Sequence, residues 1–213
     1  MVLRLWADRA LLSLFDPTCA ACQARLDDQR RGPVCGACWG AIPQLPACLG
    51  ASDARAIGLH EGPLRDIIHA FKYRGHASLA APLGALMREA AGDWLNDALV
   101  VPVPLHPWRS WRRGFNQADL LACTLGRPVW RPLRRRRLGR PQAGLHADER
   151  RTNVSGVYVM RRWQTRRVPD KVVLVDDVMT TGATAEACAR VLKESGVQRV
   201  QVLTASRALS RAR

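Results

Sequence analysis

One stretch limits the fold more than any other: VVLVDDVMTTGAT, residues 172–184. Four consecutive apolar residues, Val172, Val173, Leu174 and Val175, read as a strand buried on both faces, the habit of parallel sheets. Two carboxylates, Asp176 and Asp177, close it. A loop of hydroxyls and glycine follows (Thr180, Thr181, Gly182, Thr184), and an amphipathic helix begins directly after it. In an open α/β sheet, ligands sit beyond the carboxyl ends of the strands, where a helix start offers free N–H groups. Hydroxyls beside backbone N–H groups suit a phosphate, and Gly182 lets the backbone approach it. Adjacent carboxylates accept hydrogen bonds from a diol. The whole arrangement suits a sugar phosphate. Ordinary capping would explain the Thr and Asp residues, but neither the doubled carboxylate nor the glycine.

The 213 residues can hold one full core and a small appended module. A formal net charge of +15 is carried almost wholly by arginine; the lysines are Lys72, Lys171 and Lys193. Between positions 109 and 167, sixteen arginines stand against Asp119, Asp148 and Glu149, most densely in RPLRRRRLGR at 131–140. Such a block attracts polyanions, and a solvated basic loop is the plain alternative. With Trp108, Trp111 and Trp130 nearby, charge and stacking together suit single-stranded DNA. Near the N-terminus an apolar stripe (Leu3, Trp6, Ala10, Leu14) is interrupted by Arg4, Asp8 and Arg9, which fits a helix packed on the protein better than a signal peptide. No uncharged apolar stretch approaches the length needed to cross a bilayer, so no membrane span and a cytoplasmic location are expected.

Cys19-Ala-Ala-Cys22 and Cys35-Gly-Ala-Cys38 are separated by twelve residues. Two C-x-x-C pairs place four thiolates around one tetrahedral Zn²⁺, so a structural zinc ribbon is expected with Cys19, Cys22, Cys35 and Cys38 as ligands. A redox pair or a metal-free remnant are the alternatives. Gly36 is expected to supply the turn of the second pair, whereas Gln23 stands where the first pair would favour glycine.

Downstream, prolines punctuate residues 42–49, and an α/β pattern then takes over. A short strand is expected at 56–59, a helix over GPLRDIIHAFKYRG, and a second helix at 78–92. A buried strand is expected at 99–104, limited by Pro102 and Pro104, and a helix near 115–125. The arginine block reads as loop to about 153, followed by a strand at 154–160. The strand at 172–175 comes next, then a helix at 183–195 and a strand at 200–205. Such alternation implies a mostly parallel sheet. Cys123 and Cys188 are expected to be buried thiols on apolar helix faces, and the five histidines form no ligand pattern.

The 172–184 run resembles the phosphoribosyl pyrophosphate (PRPP) motif of type I phosphoribosyltransferases. Set beside VPVPLHPWRSWRRGFNQA, GPLRDIIHAFKYRG, RPQAGLHADERRTNVSG and the cysteine pairs, the chain resembles the ComF family of phosphoribosyltransferase-fold proteins linked to competence and incoming DNA. The resemblance implies an α/β, type I phosphoribosyltransferase-like domain at 51–213 and an N-terminal helix with a four-cysteine zinc ribbon at 1–50. It implies that Asp176 and Asp177 hold the ribose hydroxyls and that Thr180, Thr181, Gly182, Ala183 and Thr184 hold the 5′-phosphate. It also implies that Arg109, Arg112 and Arg113 bind pyrophosphate, with Gln142 on a hood loop near 134–153 and Lys72 in a basic cluster with Arg74. Mg²⁺ would accompany PRPP, and such folds commonly pair as homodimers. The implied function is ribosyl-phosphate transfer with pyrophosphate leaving; the alternative is a non-catalytic single-stranded DNA adaptor that uses the same pocket for a ligand or nucleotide. Members with a second cysteine set are matched here only by Cys48.

Overall fold

A computed structural model describes residues 18–26, 32–43, 45, 53–105, 114–136, 156–161 and 168–209. Arg109, Arg112, Arg113, Gln142, Cys48, Trp108 and Trp111 lie outside the described residues, as does most of the expected hood loop.

The structure is organised around β5 (Lys171–Met179), which is paired in parallel on both sides. Its neighbours are β2 (Leu99–Pro102) and β6 (Arg199–Arg207), and β1 (Ala54–Leu59) adds to the far side of β6. The order is therefore β1-β6-β5-β2. Side chains alternate across a strand, so Val173 and Val175 enter one core while Val172 and Leu174 enter another. All four are fully buried, which is why the sequence there is continuously apolar.

The first core lies under α2 (Gly62–Tyr73), α3 (Ala80–Ala91) and α4 (Gln117–Thr124). Helix α2 carries Pro63 in its first turn, directly after Gly62, where its fixed φ and missing N–H are tolerated. It buries Leu64, Ile67, Ile68 and Phe71, the i, i+3, i+4, i+7 face that amphipathic spacing predicts. The second core lies under α5 (Ala183–Glu194), which buries Ala185, Cys188 and Leu192. A two-stranded antiparallel hairpin completes that side: β3 (Leu133–Arg135) against β4 (Tyr158–Met160).

Strand β3 departs from the loop expected for the arginine block. Leu133 is buried, Arg134 is exposed, and the Arg135 guanidinium sits 5.8 Å from the Tyr158 ring centroid. The alternation is a strand's, but three residues among arginines carry too little apolar signal to reveal it. Strand β5 is also longer than its apolar run, so both aspartates are strand residues. Cys188 is buried as expected, whereas Cys123 is exposed. The buried positions of α4 are Gln117, Ala118, Leu121 and Ala122, and position 123 turns away from that face.

The cysteine segment shares the first core. Leu26, Val34 and Ile42 belong to the same apolar cluster as Leu64, Ile67 and Phe71. Thr18 and Arg25 form an antiparallel bridge around the first cysteine pair, and α1 (Gly36–Gly40) carries the second. Gln23 itself adopts the left-handed conformation (φ 62°) that glycine would favour, while Gly36 is an ordinary first helical residue. The first pair thus makes its left-handed turn at Gln23 without a glycine, and at Gly36 the second pair enters a helical turn. Among the described residues no helix is long and apolar enough to cross a membrane.

Candidate ligand-binding site

The carboxyl end of β5 forms the floor of a cleft of about 380 Å³. The alternation that sorts the two cores also sorts the two acids. Asp177 continues the Val173–Val175 face and meets α2, where the Lys72 ammonium lies 2.8 Å from its carboxylate. Both side chains of this pair are mostly buried (17% and 13% exposed). Asp176 continues the opposite face, toward Tyr158, Cys188 and Thr184. Its carboxylate accepts a hydrogen bond from the Asp177 N–H at 2.8 Å. Burial, with the Asp177 charge next door, raises the Asp176 carboxyl to about 7.

The hydroxyl loop leaves the same strand end. Gly182 has φ 81°, and α5 starts immediately after it. The Ala183 N–H donates to Thr181 Oγ1 at 3.4 Å. Residues 178–185 enclose a smaller recess of about 50 Å³, bounded also by Asp176 and Thr204. Five expected residues, Thr180, Thr181, Gly182, Ala183 and Thr184, therefore share one recess, and Thr180 and Thr184 also face the larger cleft. Glu186 stands in the first turn of α5, its carboxylate 3.7 Å from where a Gly182 Cβ would lie, so the helix start is already partly compensated.

Several wall residues were not singled out from sequence. His60 follows β1, and its Nδ1 lies 2.8 Å from Ser206 Oγ of β6. Burial first, and the Lys72 charge second, hold the imidazole below its usual range. A strand-end position was the available signal, since ligands collect at such ends. Arg135 and Tyr158 arrive through the hairpin, and burial pushes the Tyr158 phenol up. Asn116 caps α4 by accepting from the Ala118 N–H at 3.2 Å and donating to the Val103 carbonyl at 3.0 Å. It ties the start of α4 to the end of β2.

The four sulfurs of Cys19, Cys22, Cys35 and Cys38 lie within 4.8 Å of one another. A tetrahedron with Zn–S near 2.3 Å has sulfur–sulfur edges of roughly 3.8 Å, and Cys22 and Cys35 are 3.8 Å apart. Backbone N–H groups of Ala21 and Cys35 donate to Cys19 Sγ, each at 3.4 Å. Burial raises the Cys19 thiol, but backbone N–H groups of Cys22, Cys35 and Ala21 outweigh it, leaving it near 6. Burial pushes the Cys38 thiol up. The donor set and spacing fit a zinc ion.

These features define an α/β protein with a parallel sheet flanked by helices, an acid pair and hydroxyl loop at one strand end, and an N-terminal four-cysteine centre. No protein-family model matches the chain. Curated relatives do. Competence protein F of Haemophilus influenzae is 31% identical, over 93% of this chain and 100% of that one. DNA utilization protein YhgH of Escherichia coli K12 is 32% identical over 82% and 78%, and competence protein ComFC of Bacillus subtilis 26% identical over 90% and 84%. The chain belongs to the ComF family. Solved structures similar to it include an allosteric regulatory enzyme of purine biosynthesis, 24% identical at a TM-score of 0.42, over 61% of this chain and 26% of that one. Another is the orotate phosphoribosyltransferase of Aeropyrum pernix, 19% identical at 0.36, over 67% and 76%.

Proposed function

We propose that the cleft binds PRPP or a related ribose 5-phosphate, with the phosphate on Thr180–Thr184 and the sugar hydroxyls on Asp176 and Asp177. The observation that carries this reading is that one strand end presents the hydroxyl loop, both acids and Lys72 to a single cleft. Lys72 fixes the Asp177 carboxylate, leaving one of its oxygens to accept from a hydroxyl. Asp176, with its raised affinity for a proton, can either accept from or donate to the neighbouring hydroxyl.

In a transferase, a nucleophile would bond to the anomeric carbon as the bond to pyrophosphate breaks. The pyrophosphate would need cations, for which Lys72, Arg135 and the arginines at 109, 112 and 113 are the candidates. The two aspartates are the only carboxylates lining the cleft among the described residues, and one already carries Lys72. They do not make a magnesium site by themselves, and Mg²⁺ would enter on the phosphates of PRPP. Residues 1–50 form the zinc-bearing part and 51–213 the ligand-bearing part of this reading.

The test is calorimetric titration of PRPP, with and without Mg²⁺, into zinc-loaded protein. Saturable binding is expected, and Asp177→Asn should abolish it with the circular dichroism spectrum unchanged. No binding to the folded protein would defeat the reading.

Relatives named for competence and DNA utilization, with the sixteen arginines at 109–167, favour a second reading: a non-catalytic adaptor for single-stranded DNA. Arg134 and Arg136 are exposed, while Arg135 faces the cleft. Arg134→Ser with Arg136→Ser should weaken DNA binding and flatten its salt dependence without changing PRPP affinity. An unchanged salt slope would remove β3 from the DNA site.

A further inference from the structure

The four-cysteine centre and the cleft are joined through one helix end. Lys72, whose ammonium holds the Asp177 carboxylate at 2.8 Å, lies in the last turn of α2. The end of a helix is its least secure part, because the last carbonyls have no intrahelical donor. Here Arg74 caps α2 by donating its N–H to the Ala70 carbonyl, and Gly75 takes the left-handed conformation (φ 74°) that ends many helices. The core grips the body of α2 through Leu64, Ile67, Ile68 and Phe71, whereas residues 73–75 are exposed. The first cysteine pair reaches across to this exposed end. The Arg74 guanidinium donates to the Ala20 carbonyl and, at 3.4 Å, to the Asp66 carbonyl two turns back on its own helix. Ala20 is buried between Cys19 and Cys22, and its N–H donates to the Pro33 carbonyl at 2.7 Å, just before the second pair. The direction of the Ala20 carbonyl is therefore set by how the two pairs meet. Four thiolates within 4.8 Å of one another need a cation between them to hold that arrangement.

We propose that the four-cysteine centre regulates the cleft: zinc and a ribose-phosphate ligand favour each other's binding, and Arg74 carries the coupling. This rests on the ribose-phosphate reading above. With zinc on the cysteines, the Ala20 carbonyl holds Arg74 and the last turn of α2 keeps its place. Lys72 then keeps the Asp177 carboxylate aimed for a sugar hydroxyl. With the cysteines emptied of metal, that carbonyl turns away, the helix end frays, and Asp177 loses its partner. Coupling between sites is reciprocal, so a ligand that needs the intact helix end tightens zinc by the same factor.

The test measures zinc affinity of the full chain by competition with a chelator of known affinity, with and without saturating PRPP. PRPP should raise zinc affinity about tenfold, within the range usual for linked sites, and calorimetry should show zinc raising PRPP affinity equally. Arg74→Met keeps the aliphatic stem and removes both hydrogen bonds at a surface position, so the fold stands while the effect of PRPP on zinc should vanish. The effect should vanish also in Asp177→Asn, which controls for metal held by PRPP itself. Zinc affinity unchanged by PRPP, or an effect that persists in either variant, would overturn the coupling alone, since PRPP binding to the zinc-loaded protein is read separately. Absence of PRPP binding to the zinc-loaded protein would overturn the ribose-phosphate reading, and the coupling with it.

Discussion

Asp176→Asn should make the protein more stable at pH 8 while impairing its ligand site. The Asp176 carboxyl is raised from 3.8 to about 7 by burial and by the adjacent Asp177 charge. The folded state therefore holds a proton there that the unfolded chain releases. Stability is highest below the unfolded value and declines as pH rises through the folded value, a window from about 4 to about 7. Such a difference corresponds to ~4 kcal/mol at pH 8. Asp176 also borders an open cleft, and water and relaxation bring the expectation to ~1–2 kcal/mol. Asparagine keeps the acceptor for the Asp177 N–H and does not ionise. For a chain of this size the gain is roughly 3–8 °C in Tm. Urea unfolding of both proteins should be followed from pH 5.5 to 8.5, and their difference taken at each pH, which cancels titrations common to both, the cysteines included. The variant's advantage should grow across the window and level off above it. A difference that does not vary with pH, or a wild-type advantage at pH 8, would refute the assignment of a buried, proton-holding Asp176.

The Lys72–Asp177 pair should behave as a coupled unit. Either Lys72→Met or Asp177→Asn strands a mostly buried charge and should cost about 2–4 kcal/mol in urea unfolding, and the double variant should recover most of it; additive losses would contradict the pairing. Gly58 is constrained by close approach: a Cβ there would overlap the Pro43 carbonyl oxygen, which is backbone and cannot rotate away. Gly58→Ala should therefore lower stability by about 1–3 kcal/mol, read from the urea midpoint. Zinc should be found at one ion per chain by a colorimetric chelator assay. Its removal should lower Tm sharply, because Leu26, Val34 and Ile42 share the core of α2; an unchanged Tm after complete removal would mean that the cysteine cluster is not a structural metal site.

What the sequence alone determined is what lies close together along the chain. The apolar run, acid pair and hydroxyl loop occupy thirteen consecutive residues, so one strand–loop–helix unit assembles them with little help from the rest. The cysteine pairs are likewise two short turns, and tetrahedral geometry needs only that they face each other. The period of α2 was readable because its buried face repeats at helical spacing. Tertiary structure decided the rest. Lys72 and Asp177, or His60 and Ser206, are far apart in sequence and meet only where α2 and β1 pack beside β5 and β6. Strand β3 is hidden among arginines because three residues leave no periodic signal, and Tyr158 reaches the cleft only by pairing with it. Cys123 is exposed because helix rotation is set by which stripe the core accepts. Even the two aspartates, adjacent in sequence, differ through the fold: alternation along β5 turns one toward a lysine and the other into a buried pocket. Local order specifies which groups are present, and layer packing specifies which of them meet, because side-chain contacts between elements exist only once those elements are docked.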